Sequence, residues 1–301
     1  MASHIQRLIS KGLINDAPSF LSGAVQYEVV MGSVAYGVNT DDSDFDIYGF
    51  AIPAKDDAFP HLRGLVPGFD QCQPIFQHYQ KHHIQDPQAN GGKGREYDVT
   101  VYAMAKYFRL LSENNPNIID SLFVPQNCIL HSTPIGDMVR DRRTLFLHKG
   151  CWPKFKGYAY SQIKKIRSKE AHGKRKITVD KFGYDVKFAY HVVRLLNEVE
   201  QIMLEHNLDL LRSAEQLKAI RRGDWSLQRL ESYFQQKEQH LEALYFSCDL
   251  PAKPDNDAIR QLLLDCLEQY YGSLSQAVSR QDGNTRAIHD IRLILQRLDQ
   301  E

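Results

Sequence analysis

The stretch VVMGSVAYGVNTDDSDFDIYGFAIP, residues 29–53, decides the fold of this chain. It begins as an apolar strand that ends at Gly32 and Ser33, passes through a turn rich in Asn, Asp and Ser, and continues as a second strand. Side chains two residues apart on a strand point to the same face, about 7 Å apart along the backbone. Asp44 and Asp46 therefore place two carboxylates on one face of the second strand.

A later segment supplies a third acid. Residues 96–102 alternate between polar and apolar side chains, which predicts a half-buried strand with Asp98 on its polar face. Mg²⁺ and Mn²⁺ prefer oxygen ligands, and three acids on neighbouring strands can hold two such ions about 4 Å apart for in-line nucleotidyl transfer. We therefore expect Asp44, Asp46 and Asp98 to be catalytic and metal-binding residues.

The Gly32-Ser33 turn is the first candidate for nucleotide binding. Glycine lets the backbone approach a ligand closely, and amides at a helix start, with the serine hydroxyl, bind anionic phosphates. Taken singly, Gly-Ser is an ordinary strand-to-helix turn, Asp-Ser-Asp is an ordinary turn sequence, and Asp98 could be a solvated strand residue. The order in which they occur favours catalysis.

Length and charge distribution agree with a phosphate-rich ligand. A chain of 301 residues exceeds what one hydrophobic core usually organises, so two domains are expected. The 37 basic and 37 acidic residues balance, but residues 1–135 carry 9 basic and 14 acidic side chains, and the remainder carries 28 and 23. The balance argues against a wholly basic nucleic-acid coat, whereas an acidic front half and a basic back half suit a metal-dependent site facing phosphates.

The remaining composition indicates a soluble cytoplasmic protein without a membrane partner. The five cysteines are scattered and form no CxxC pair, and neither a signal peptide nor a long apolar run is present. Three histidines, His78, His82 and His83, are expected to be exposed loop residues, because no neighbouring acid or cysteine in the sequence completes a metal site.

From residue 103 onward the hydrophobic period is helical. The expected class is α+β, with a mixed-sheet domain over residues 1–125 followed by an all-helical domain over 126–301. The predicted helices cover residues 104–112, 118–123, 155–168, 182–206, 213–221, 226–246, 256–280 and 284–298.

The helical half contains a basic segment. Residues 164–187 carry nine basic and three acidic side chains, which would bind a polyphosphate or an RNA backbone. An ordinary solvated surface is an equally good explanation. The candidate RNA or phosphate contacts are Lys164, Lys165, Arg167, Lys174, Arg175 and Lys176.

A second cationic feature follows on one helix face. Lys187, His191 and Arg194 are spaced i, i+4 and i+7 and could hold a triphosphate opposite the acids. The alternative is a satisfied core histidine between two cations whose stems cover apolar surface.

These motifs carry a resemblance to a known superfamily. Gly-Ser, Asp-x-Asp and a third acid on a later strand resemble the nucleotidyltransferases of the DNA polymerase β superfamily. Over about residues 27–200 the chain looks like the YcgL-like, or RlaP, members associated with RNA repair. The segments that carry this likeness are Asn115-Pro116-Asn117, Leu122-Phe123 and Tyr184-Asp185-x-Lys187-x-x-x-His191-x-x-Arg194-Leu195-Leu196.

The resemblance implies a palm-like mixed sheet and Mg²⁺-dependent transfer of NMP from an NTP such as ATP to an acceptor hydroxyl. It further implies an RNA 3′ end as acceptor, an RNA ligase or another repair protein as partner, and nucleotide binding by the Lys187, His191 and Arg194 face. Two alternatives remain: nucleotidylylation (AMPylation) of a protein partner, and a non-catalytic nucleotide- or RNA-binding module.

Overall fold

The fold is α+β and is built on one five-stranded mixed sheet. The structure, a computed structural model, describes residues 2–39, 44–66, 75–168 and 174–277. The strand order is β3-β4-β2-β1-β5. The strands are β1 (Val25–Val30), β2 (Phe45–Ala51), β3 (His78–Asp86), β4 (Arg95–Ala103) and β5 (Ile129–Ser132).

Helices account for most of the remaining described residues. They are α1 (His4–Ser10), α2 (Leu21–Ala24), α3 (Gly32–Ala35), α4 (Lys55–Ala58), α5 (Met104–Ser112), α6 (Pro116–Phe123), α7 (Pro134–Asp141), α8 (Cys151–Ser168), α9 (Lys174–Phe182), α10 (Val186–Glu205), α11 (Ala214–Arg222), α12 (Leu227–Ser247), α13 (Asn256–Tyr271) and α14 (Leu274–Ala277). The predicted helix at 284–298 lies outside the described residues.

The pairing of the strands sets the position of the acids. β1 and β2 are antiparallel, and β2 and β4 are parallel. In the parallel pair Asp46 and Asp98 are directly opposed Cα partners. Since opposed residues of neighbouring strands project to the same face of a sheet, the two carboxylates lie side by side.

Two differences from the predicted elements have local causes. The helix expected over 182–206 begins only at Val186, as α10, because Gly183 has φ +79° and the Asp185 carboxylate caps α10 by accepting from the amides of Lys187 and Phe188. Helix α9, which ends at Phe182, was not predicted. The strand expected near residues 75–80 extends to Asp86, so His78, His82 and His83 lie on β3 and not in a loop.

The segment expected to be all-helical, residues 126–301, contains one strand near its start. β5 follows residue 125 and pairs with β1, so the segment after 125 contributes one strand before its helices begin at Pro134. A division into domains at 125/126 stays a prediction.

The sheet is covered on both faces. On one face β1 and β2 pack against the helices in a large core that runs from Tyr27 to Cys266. On the other face, α1 and α2 pack against Ile47, Val99 and Val101. Most of helix α10 is buried in the large core. Its first turns therefore lie beside the acidic side chains of the sheet.

The described cysteines Cys128, Cys151, Cys248 and Cys266 are free thiols. Among the described helices, we find none that combines the length and apolar character needed to span a bilayer.

Candidate active site

A cleft of about 550 Å³ lies between the β1–β2 end of the sheet and helices α9, α10 and α11. Acidic side chains enter from the sheet and cationic side chains enter from the helices. The residues that line the cleft are Met31, Gly32, Ser33, Tyr36, Asp44, Asp46, Tyr48, Asn117, Thr178, Phe182, Asp185, Val186, Lys187, Tyr190, His191, Arg194 and Arg221.

The acid side consists of Asp44, Asp46 and Asp98. Asp44 is an exposed residue directly before β2, Asp46 is in the cleft wall, and Asp98 stands next to Asp46 on the β3 side. Burial, then the charge of Asp98 and to a smaller extent that of Asp44, raise the pKa of Asp46 to about 6. The structure thus brings the three predicted acids together.

The acid side fits a divalent cation. Asp46 and Asp98 are held side by side in a half-buried position, where burial and then repulsion from the charge of Asp98 raise the pKa of Asp46. A hard divalent cation removes that repulsion and takes carboxylate oxygens as ligands.

Gly32 is required by the position of Asp46. Its φ is +65°, and a Cβ at this position would lie 2.0 Å from Asp46 Oδ2. In addition, the amide of Met31 donates to the Asp46 carbonyl at 2.7 Å, which ties the turn to β2. The sequence predicted a glycine for close approach of a ligand, and in the structure the carboxylate of Asp46 already occupies this space.

The cation side consists of Lys187, His191, Arg194 and Arg221. Lys187 is exposed in the first turn of α10, and its charge lowers the pKa of Asp46 against the other effects. The pKa of His191 is held well below its usual range by burial, and then by the charges of Arg194 and Lys187. Its imidazole is therefore neutral at pH 7.

Arg194 is bound within the protein. Its Nη1 donates to Tyr36 Oη at 2.8 Å, to both carboxylate oxygens of Glu198 at 3.1 Å, and to Asp120. Burial raises the pKa of both Asp120 and Glu198. The side chain is 5% exposed, so it is part of a buried ion cluster, unlike the exposed tip that the alternative of a snorkelling cation requires.

Sequence reasoning missed Arg221. It lies on α11, donates from Nη1 to the Val38 carbonyl and sits 5.5 Å from the Tyr190 ring centroid. Nothing in its ordinary amphipathic helix marks it, since its role depends on α11 packing against α10.

Asp120 was also missed, although a signal exists. It is the single charge in PNIIDSLF, an otherwise apolar helix, and a buried acid needs a partner.

The histidines of β3 contact the acid side. A bulge between Lys81 and Ile84 interrupts the pairing of β3 with β4. His82 Nδ1 lies 3.0 Å from Asp98 Oδ2, and the His83 amide donates to Asp98 Oδ1 at 2.8 Å. The expectation of loop residues without an acidic neighbour was wrong, because the acids come from β4 and are distant in sequence.

Among the described side chains of the candidate RNA contacts, Lys164, Lys165, Arg167 and Lys176 lie on α8 and α9, outside the lining of the cleft. Lys165 Nζ is 5.5 Å from the Phe188 ring centroid, and Arg167 pairs with Glu231 at 2.8 Å. Lys164 and Lys176 are exposed. The side chains of Lys174 and Arg175 are outside the described residues, as is Lys169.

Comparison with known proteins identifies the family of the chain. A solved structure of a nucleotidyltransferase-like protein from Exiguobacterium sibiricum 255-15 is 10% identical, covers 80% of this chain and 73% of its own, and has a TM-score of 0.29. No curated protein matches the sequence. The model of the family described as RlaP, RNA repair pathway DNA polymerase beta family, matches residues 22–245. The chain therefore belongs to the RNA repair pathway DNA polymerase β family.

Proposed function

We propose that this protein is a metal-dependent nucleotidyltransferase that transfers NMP from an NTP to the 3′ hydroxyl of an RNA. Family membership supports nucleotidyl transfer in general. The observation that carries the proposal is that Asp44 and Asp46 line the cleft opposite the cation side, while Asp46 is paired with Asp98 on the neighbouring parallel strand.

The carboxylates of Asp44, Asp46 and Asp98 are the residues that would hold Mg²⁺ or Mn²⁺. Bound there, such ions supply Lewis-acid stabilisation of phosphate charge and favour deprotonation of the attacking hydroxyl. The protein's own contribution is to fix three carboxylates on one face. Gly32 lets Asp46 take its position, and His82 orients Asp98 from the side of β3.

The cation side would bind the triphosphate. Lys187 is exposed and offers an ammonium, while Arg221 offers the part of its guanidinium that does not bind Val38. Positive charge placed before the reaction stabilises the charge that develops on the leaving pyrophosphate. His191, neutral at pH 7, can donate or accept one hydrogen bond without adding charge. Arg194 acts mainly by holding Tyr36 in the cleft wall.

Two features support an RNA acceptor. The family is described as belonging to an RNA repair pathway. Furthermore, the exposed Lys176 lies on α9, which carries the cleft-lining residues Thr178 and Phe182, and the exposed Lys164 lies on α8, which packs against α10. Basic side chains near the cleft attract a phosphate backbone and make its binding sensitive to salt.

Transfer is tested with purified protein, each α-³²P-labelled NTP, Mg²⁺ or Mn²⁺, and short RNAs with free 3′ ends. We expect labelled, extended RNA and its loss in the Asp44→Asn and Asp46→Asn double variant. The exposed acid Asp257, whose carboxylate pairs with Arg260 on the same helix, provides the matched control Asp257→Asn, which should keep full activity. Extension by the double variant would remove the acids from the mechanism. Label on a protein in a lysate, in place of RNA, would identify a protein acceptor.

A further inference from the structure

A second group of metal-binding side chains adjoins the acid side. His83, Glu96 and Asp98 each offer one ligand atom, and these atoms lie within 4.8 Å of one another. Glu96 and Asp98 are two residues apart on β4, so they share a face. His83 Nδ1 lies 2.5 Å from Glu96 Oε1, which shows that the imidazole is directed at the carboxylates.

The β3 bulge builds this group. In a regular strand, consecutive residues point to opposite faces. Here His83 has φ +56° within the bulge, and as a result His82 and His83 both contact groups on β4. His82 holds Asp98 Oδ2, and His83 lies on the Oδ1 side.

We propose that His83, Glu96 and Asp98 bind a divalent transition-metal ion at the β3 edge of the acid side. The proposal rests on the proposed function only in that Asp98 is shared, and neither Asp44 nor Asp46 takes part. A ligand atom lies about 2.1 Å from such an ion, so ligands of one ion are about 3–4 Å apart. The three ligand atoms lie within 4.8 Å of one another, and a small side-chain rotation that separates His83 from Glu96, now 2.5 Å apart, admits the ion.

The ligand set defines the class of ion. Imidazole nitrogen binds Zn²⁺, Co²⁺, Ni²⁺ and Fe²⁺ well, whereas Mg²⁺ prefers oxygen alone. Three protein ligands leave open positions for water or a phosphate oxygen. The side chains of Glu96 and Asp98 are 31% and 24% exposed and that of His83 is 80% exposed, so an ion from solution can reach the site.

The test uses the full chain with Asp44→Asn and Asp46→Asn, which removes two of the three acids of the proposed catalytic site. Co²⁺ is added and followed by its visible absorption and by calorimetry. We expect one bound Co²⁺ that excess Mg²⁺ does not displace. Addition of His83→Gly, which tolerates the positive φ, or of Glu96→Gln should abolish this binding. His78→Ala, a change of an exposed histidine on the same strand, should leave it intact.

Several outcomes would overturn the site. These are no Co²⁺ bound to the double variant, displacement by Mg²⁺, or Co²⁺ retained by both His83→Gly and Glu96→Gln. Should His83→Gly alter the melting temperature, the isosteric Glu96→Gln decides. If the Co²⁺ site is wrong, the wild-type protein still transfers NMP in Mg²⁺. If the proposed function is wrong, the wild-type protein does not transfer NMP, but the double variant still binds Co²⁺. The two failures are therefore distinguishable.

Discussion

The two sides of the cleft differ in how their charges are held. On the acid side, Asp44 and Asp46 face the cleft, and burial followed by repulsion from Asp98 raises the pKa of Asp46. On the cation side, Arg194 is enclosed by Asp120 and Glu198 within the protein, while Lys187 is exposed.

This difference separates binding groups from supporting groups. A half-buried carboxylate beside other carboxylates costs free energy that a cation can recover. By contrast, a buried guanidinium with two carboxylates is already compensated, and removing it leaves charges unpaired. Residues with the same spacing on one helix face, such as Lys187 and Arg194, can therefore have unlike roles.

The largest effect is expected on the acid side. Asp46→Asn should lower NMP transfer by at least about a thousandfold, since it removes a metal ligand worth several kcal/mol. Its melting temperature in metal-free buffer should not fall, because a repelled, half-buried carboxylate is replaced by a neutral amide. The rate of labelled NMP transfer measures the loss of activity, and a thermal melt measures the stability, with Asp257→Asn as the control for both. A large loss of stability would mean that Asp46 is structural.

On the cation side, Arg194→Met should destabilise the protein by about 3 kcal/mol, since Asp120 and Glu198 lose their buried partner. Lys187→Met, on the exposed part of the same helix, should change the free energy of unfolding by less than about 0.5 kcal/mol. It should instead raise the KM for NTP by about tenfold. Urea unfolding measures the change in the free energy of unfolding, and steady-state kinetics measures the change in KM. Equal stability of both variants would contradict the division of roles.

A glycine pair tests the contact between the turn and the acid side. Gly32→Ala places a Cβ against Asp46 and should cost about 2 kcal/mol as well as activity. Gly12→Ala is the control, with φ +70° and nothing within 4 Å of its Cβ. It should cost only about 1 kcal/mol, from the left-handed backbone, and leave NMP transfer unchanged. The same loss of activity in both variants would exclude the steric explanation.

The pH dependence of metal-free stability is a smaller effect. The pKa of Asp46 is raised in the folded state, so between about pH 4 and 6 the folded protein binds more protons than the unfolded chain. The contribution of Asp46 to the free energy of unfolding therefore falls as pH rises through this window. Asp46→Asn should flatten that part of the profile in thermal melts with EDTA. An unchanged profile would show that Asp46 titrates as in the unfolded chain.

The smallest effect is expected from the basic segment. Combining Lys165→Ala with Lys176→Ala should weaken RNA binding by a few-fold and reduce the salt dependence of log K by about 1 for each lysine that binds a phosphate. Lys253→Ala, an exposed lysine of a turn before α13, is the control. Binding of a fluorescent RNA at several salt concentrations measures the slope. An unaltered slope would favour the solvated surface.

Local pattern was enough for the strands that carry the acids. The alternation of residues 96–102 and the Asp-x-Asp spacing predict which side chains share a face, because the side-chain period of a strand is fixed at two. The Gly-Ser turn and the helical period after residue 103 follow in the same way, and the family likeness is confirmed over residues 22–245. Each of these features depends only on residues that are close together in the sequence.

Contacts between distant segments could not be obtained in that way. The partners of Arg194, the approach of Arg221 and the position of His83 beside Glu96 each join residues that are separate in sequence or displaced by a bulge. The period of a helix or strand predicts which way a side chain faces, but it does not predict which residue that side chain contacts. These contacts are determined by the packing of α6, α10 and α11 and by the bulge that turns His83 toward β4. Both bring charged groups within hydrogen-bond range.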